Sequence, residues 1–226
     1  MIKAIFFDRD ETLLYLDPEH EKSMNRLIGE WAGKPYALTV EQSIDLHTRM
    51  LERHPELNRI TTLEKERIYW LIWYAWVLAD AGVSDLNGAR AVHLVENFCF
   101  YNGLVLYEDT EPVLKHIIEL GYQIGAISDT LPSLELSLKK AGIAQYFTSF
   151  TATEPLGVKK PDPRVFDHAF KAQGVKPHEV IYVDDVPWIV EGSRAQGIKT
   201  FLIDRKKRTP ETDDTIHTLY SLLRFL

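Results

Sequence analysis

From residue 109 onward, short apolar runs alternate with amphipathic stretches that each end at a glycine. The apolar runs are YQIGAIS (122–128), TSFTAT (148–153), VIYVDD (180–185) and TFLID (200–204). The stretches between them end at Gly121, Gly142, Gly174 and Gly197. Short apolar runs predict strands, and a glycine just past the last turn is typical of a helix end. With KAIFFD (3–8), the alternation predicts an α/β fold with a mainly parallel five-stranded sheet and helices on both faces.

Residues 15–106 depart from this alternation. They contain four stretches with helical spacing, over 19–33, 40–53, 63–81 and 86–101, and no convincing strand. In the third stretch Trp70, Trp73, Tyr74 and Val77 share one helical face, which predicts the core of a small helical bundle. Trp76 lies on another face and is a candidate for lining a cleft. We therefore predict a helical domain, residues 15–106, inserted into a sheet domain of residues 1–14 and 107–226.

Composition limits the partners of the protein. Its 226 residues are 45% hydrophobic, carry a formal net charge of −7 and include one cysteine. The scattered basic residues argue against nucleic acid as a partner, and the run RKKR (205–208) is expected to be a solvated loop. The single cysteine excludes an intramolecular disulfide, and no apolar segment is long enough to cross a membrane. These features predict a cytoplasmic protein with neither a membrane nor a nucleic-acid partner.

Polar side chains follow the predicted strands, where ligands bind in an open parallel sheet. The residues at these strand ends are Asp8, Asp10, Ser128, Asp129, Lys160, Asp184 and Asp185. Carboxylates gathered at one point repel one another unless a cation sits among them, and an oxygen-lined site suits Mg²⁺. A lysine and a hydroxyl nearby suit the oxygens of a phosphoryl group. One carboxylate can then attack phosphorus while a second transfers protons.

Four segments in this order resemble the motifs of the haloacid dehalogenase superfamily: DRDETL (8–13), AISD (126–129), KPDP (160–163) and YVDD (182–185). The resemblance implies a Rossmann-like core and places the helical insert at the position of the family's cap domain. It further implies that Asp8 is the nucleophile, that Asp10 is the general acid and base, and that Lys160 is the stabilising cation. The phosphate-binding residues it implies are Ser128, Asp129 and Lys160. The residues it implies around Mg²⁺ are Asp8, Asp10, Asp184 and Asp185.

Asp10, the second aspartate of the first motif, bears on which of the family's two reactions is expected. A halide leaving group needs no proton, whereas an alkoxide does, so Asp10 favours hydrolysis of a phosphate ester over cleavage of a carbon–halogen bond. The predicted function is a Mg²⁺-dependent phosphatase of a small phosphorylated metabolite that forms an aspartyl phosphate. The alternatives are a sugar-phosphate phosphomutase, which the position of His20 would suit, and a non-catalytic regulatory protein. His20 is otherwise a solvated histidine of the first inserted helix.

Two further residues of the first motif bear on the site. Glu11 occupies the place where the family commonly has glycine, which bears on substrate approach. Arg9 lies between the two aspartates, and the sequence leaves open a solvated or ion-paired role and a contact with substrate.

Overall fold

The computed structural model describes residues 1–226, except for the side chain of Phe100. The chain divides into two compact units, Met1–Tyr15 with Val105–Leu226 (the sheet unit) and Leu16–Leu104 (the helical unit). The strands are β1 (Ala4–Phe7), β2 (Leu14–Leu16), β3 (Leu104–Leu106), β4 (Gln123–Ser128), β5 (Ser149–Ala152), β6 (Val180–Asp184), β7 (Lys199–Ile203) and β8 (Thr215–Ile216). The α-helices are α1 (Pro18–Ala32), α2 (Val40–Arg53), α3 (Leu63–Ala81), α4 (Ala89–Phe98), α5 (Thr110–Glu119), α6 (Leu134–Lys140), α7 (Thr153–Leu156), α8 (Pro163–Gln173), α9 (Pro187–Arg194) and α10 (Leu219–Leu222).

The sheet unit is built on a parallel sheet with strand order β5-β4-β1-β6-β7-β8. The residues of β1 and β6 are buried throughout, which requires cover on both faces of the sheet. On one face, α8 and α9 pack with Phe6 and Tyr182 in a single apolar cluster. Strand β1 lies at the centre, and the chain order reverses on its two sides, where open α/β sheets form a crevice for ligands.

The predicted α/β class is confirmed, but the strand count is wrong. The sheet has six strands rather than five, and the additional strand is β8. This strand contains only Thr215 and Ile216, too few residues for a periodic pattern to be visible in the sequence. Two hydrogen bonds join it to β7 and its end: the Leu202 N–H donates to the Asp214 carbonyl, and the Asp204 N–H donates to the Ile216 carbonyl.

The glycines predicted to end helices do so. Gly121, Gly142, Gly174 and Gly197 all have φ between 67° and 88°. Strands β2 and β3, which pair in a separate two-stranded sheet, were not predicted because each has only three residues.

The helical unit contains α1 to α4, at the four positions predicted to be helical. Its core includes Tyr74 and Val77, with Trp70 and Trp73 packed against them, so the predicted bundle core is confirmed. Trp76 packs against the same cluster, with its ring centroid 6.5 Å from that of His54. No helix among the described residues is both long and apolar enough to span a membrane.

Candidate active site

The sheet unit brings the predicted polar residues to the carboxyl ends of its three central strands. Asp8 follows β1, Ser128 ends β4 and Asp184 ends β6, and β4 and β6 flank β1. The register pairs Phe7 with Ala126 on one side and with Val183 on the other, so these strand ends lie at one level. Asp8 and Ser128 are 5% and 1% exposed, respectively.

Lys160 is the centre of a buried polar network. Its Nζ donates to Asp8 Oδ1 at 2.6 Å, to Asp184 Oδ2 at 2.7 Å and to the Tyr182 hydroxyl at 3.0 Å. The Tyr182 hydroxyl in turn donates to Asp184 Oδ2. Asp184 is fully buried, and its second oxygen accepts the Val186 N–H at 2.8 Å. The ammonium group therefore has a partner for each of its three protons.

Burial and charge perturb the titration of these groups. Burial raises the pKa of Asp8 to about 7, with the nearby Lys160 ammonium opposing this effect and Asp184 and Asp10 adding to it. Burial alone would lower the pKa of Lys160, but its attraction to Asp8 and Asp184 raises it above its ordinary value. A lysine held charged beside a carboxylate in a dry site is suited to stabilising negative charge that develops there.

The loop that carries Lys160 is fixed from two sides. Asp129 Oδ1 accepts the Lys160 backbone N–H at 3.0 Å, which connects the end of β4 to this loop. Gly192 lies against the ring of Pro161, where any β-carbon at position 192 would overlap the ring. The Asp129 carboxylate is therefore engaged as an acceptor for the Lys160 loop.

Asp10 lies close enough to Asp8 to help raise the pKa of that carboxyl group, and the Asp10 side chain is 49% exposed. Its two oxygens accept hydrogen bonds from Arg9, at 2.9 Å from Nε and 2.7 Å from Nη2. Arg9 itself is only 2% exposed, so it is ion-paired and not solvated.

A match to the haloacid dehalogenase-like hydrolase family extends over residues 2–197. The chain belongs to this family of hydrolases. Its relatives include proteins named for two different chemistries. It is 26% identical over 223 residues to the glyceraldehyde 3-phosphate phosphatase of Methanopyrus kandleri, covering 96% of this chain and 91% of that protein. It is 30% identical over 189 residues to the (S)-2-haloacid dehalogenase 4A of Burkholderia cepacia, covering 74% of this chain and 81% of that protein.

Solved structures of the haloacid dehalogenase superfamily share the fold. The 2-haloacid dehalogenase of Pseudomonas syringae aligns with a TM-score of 0.70 and 22% identity, covering 99% of this chain and 97% of that one. At this identity the similarity concerns the fold, and the chemistry must be argued from the site itself.

Phosphatases of this family generally use Mg²⁺, and the carboxylates of this rim suit it. Asp185 is half-buried, has no ion-pair partner among the described residues, and has a pKa raised to about 6 by burial and by Asp184. Asp8, Asp184 and Asp185 are three carboxylates near the one ammonium group of Lys160, so a further positive charge would relieve their repulsion. Among the described residues no three His, Cys, Asp or Glu side chains gather as a metal site. Mg²⁺ commonly binds through one or two carboxylates, with water and phosphate oxygens completing its shell.

Glu11, the departure from the family's glycine, has the positive φ of 51° that glycine adopts most easily. Its carboxylate accepts a hydrogen bond from the Tyr107 hydroxyl at 3.2 Å and lies 3.6 Å from Lys206 Nζ. The backbone turn expected of a glycine is therefore retained, and the added side chain is held by these two contacts.

The sequence did not indicate the part played by Arg205. We expected a solvated loop over residues 205–208, but the Arg205 side chain is only 7% exposed. It lies 2.6 Å from Asp109 Oδ2, donates to the Thr12 carbonyl, and stacks 4.0 Å from the centre of the Tyr107 ring. A run of basic residues gives no signal that one member is buried, because the partners lie far away in the sequence.

His20 lies in the helical unit and is partly buried. Its Nε2 is 3.1 Å from the Phe98 carbonyl, and its ring lies where a β-carbon of Gly103 would be. The expected solvated histidine is therefore a packed residue of the helical unit.

Proposed function

We propose that this protein is a Mg²⁺-dependent phosphatase that hydrolyses a small phosphorylated metabolite through an aspartyl-phosphate intermediate. The observation that carries the proposal is that the two aspartates of the first motif differ in burial. Asp8 is buried against Lys160, whereas Asp10, two residues later, is half-exposed and near enough to raise the pKa of Asp8. A buried nucleophile and an accessible proton carrier are the two groups that ester hydrolysis requires.

In the first step, an Asp8 oxygen bonds to phosphorus as the bond from phosphorus to the ester oxygen breaks. Asp10 delivers its proton to the departing oxygen, which leaves as an alcohol. Lys160 stabilises the negative charge, and Ser128 binds a phosphoryl oxygen. In the second step, Asp10 takes a proton from water as that water attacks phosphorus. The bond to Asp8 breaks, inorganic phosphate leaves and both aspartates regain their starting states.

Asp8 and Asp185 are the residues that would hold Mg²⁺, which would supply positive charge to the transferring phosphoryl group. Asp184 suits a different task, because it is fully buried and both of its oxygens already accept hydrogen bonds. We therefore assign Asp184 to holding Lys160. Asp129 is likewise assigned to positioning the Lys160 loop and not to binding phosphate, since its carboxylate would repel a phosphate.

The test is phosphate release from para-nitrophenyl phosphate and from sugar and nucleotide monophosphates, with Mg²⁺ or with a chelator. The expected result is Mg²⁺-dependent turnover that is lost in Asp8→Asn. The variant Asp167→Asn, which makes the same change on the exposed face of α8, serves as the matched control and is expected to keep full activity.

Chloride release from 2-chloropropionate, measured on the same preparations, addresses the other chemistry of the family. Turnover of the haloacid with no turnover of any phosphate ester would overturn the proposal. Hydroxylamine trapping of an acyl phosphate in the native protein, absent in Asp8→Asn, would support the covalent intermediate.

A further inference from the structure

Arg9 is an unusual residue for its position. It directly follows Asp8, its side chain is 2% exposed, and it donates hydrogen bonds to Asp10, Thr130 and Ser137. A guanidinium group is costly to remove from water unless several acceptors surround it. The acceptors that surround Arg9 therefore indicate what it does.

The principal acceptor is the Asp10 carboxylate. Arg9 Nε is 2.9 Å from Oδ1 and Nη2 is 2.7 Å from Oδ2, so the two groups face each other as parallel forks. This bidentate arrangement fixes the plane and the direction of a carboxylate, which a single hydrogen bond does not.

The guanidinium is itself anchored by a distant part of the chain. Nη2 also donates to Thr130 Oγ1 at 3.0 Å, and Nη1 donates to Ser137 Oγ at 3.3 Å. Ser137 is fully buried on α6, and its hydroxyl donates to the Leu134 carbonyl at 2.6 Å. The fork that holds Asp10 is thus fixed to the segment that follows β4.

Because Arg9 is anchored in this way, its contact with Asp10 differs from an ordinary surface ion pair. Such a pair contributes little, because two flexible side chains must both be ordered to form it. Here the arginine is already held by burial and by its other acceptors, so only the Asp10 side chain remains to be ordered. The half-exposed Asp10 would otherwise sample several rotamers.

We propose that Arg9 is a positioning residue that holds the Asp10 carboxylate in one orientation. This inference rests on the proposed function, in which Asp10 protonates the leaving group. A proton carrier must lie within hydrogen-bond reach of the atom it serves, and misplacement loses much of its contribution. Loss of Arg9 should therefore weaken protonation of the leaving group while leaving attack by Asp8 intact.

Two substrates of nearly the same shape separate these effects. The para-nitrophenolate ion leaves readily without a proton, whereas phenolate from phenyl phosphate depends more on one. Arg9→Met is expected to lower kcat roughly 30-fold for phenyl phosphate and less than about threefold for para-nitrophenyl phosphate, with KM little changed. Arg9→Lys retains the charge but lacks the fork, and we expect it to recover only a minor part of the loss.

The control is Arg194→Met, which removes a partly buried arginine that donates to the Thr200 carbonyl on β7. It is expected to lower kcat equally for the two esters, if at all. An equal loss for both esters in Arg9→Met, with the same fall in melting temperature as the control, would show a merely structural role and overturn the inference.

A second readout does not depend on turnover. Crystal structures of the native protein and of Arg9→Lys should show one ordered Asp10 rotamer in the former and more than one in the latter. The same single rotamer in both would overturn the inference. Native protein that hydrolyses neither ester nor any metabolite, but shows the expected change in Asp10, would refute the proposed function and leave the positioning by Arg9 standing.

Discussion

Replacing Arg205 with methionine is expected to destabilise the protein by about 3–5 kcal/mol, the usual cost of breaking a buried ion pair from one side. Arg205 and Asp109 are 7% and 6% exposed, and 2.6 Å separates Nη1 from Oδ2. Without Arg205, the Asp109 carboxylate keeps the Leu219 N–H at 2.8 Å, while its other oxygen has no partner among the described residues. A charge would then remain buried with one hydrogen bond to stabilise it.

The lost stacking on Tyr107 adds to this cost, since the guanidinium lies 4.0 Å from the ring centre. For a chain of this length, each kcal/mol changes the melting temperature by about 2–4 °C, so a fall of roughly 6–20 °C is expected. Thermal and urea denaturation followed by circular dichroism measure it. The double variant Arg205→Met with Asp109→Asn removes both charges and should be more stable than Arg205→Met alone.

The matched control is Arg164→Met, because Arg164 also pairs with an aspartate at 2.6 Å but is 71% exposed. No measurable change in melting temperature is expected there. The reasoning from burial is refuted if the melting temperature of Arg205→Met falls by no more than that of Arg164→Met. It is also refuted if the double variant is less stable than Arg205→Met alone.

Three further predictions concern the site. Tyr182→Phe removes a hydrogen-bond partner of both Lys160 and Asp184. We expect kcat to fall roughly tenfold, which corresponds to about 1.4 kcal/mol in the activation free energy, with KM unchanged. An unaltered kcat would contradict the role given to this hydroxyl. Glu11→Gly suits the φ of 51°, so it should be more stable to urea than Glu11→Val by about 1–2 kcal/mol; equal stabilities would mean that the backbone there is unstrained. The pKa of Asp185 is raised to about 6, and protons compete with Mg²⁺ for a carboxylate. The rise in melting temperature on adding Mg²⁺ should therefore grow from about pH 5 to about pH 7.5 and largely vanish in Asp185→Asn, whereas a rise independent of pH would contradict Asp185 as the ligand.

Much of the architecture could be read from local patterns. The central strand β1 and its neighbours β4 and β6 are apolar runs bounded by glycine or polar residues, and such runs are visible within windows of a few residues. The polar residues that follow these strands could be grouped because the ends of parallel strands meet at one edge. Strand β8 was missed because its two residues form a strand only by pairing with β7.

Local patterns in the sequence were enough to predict a parallel α/β sheet with a helical insert, and they grouped Asp8, Asp10 and Lys160 as a candidate site. Which charges are buried, and which partner each one takes, became visible only in the folded chain. Arg9 reaches Ser137 across 128 residues and Arg205 reaches Asp109 across 96. The sequence left the role of Arg9 open and predicted a solvated loop at Arg205. Periodicity records contacts between near neighbours, whereas the burial of a charge depends on acceptors that only the folded chain brings together.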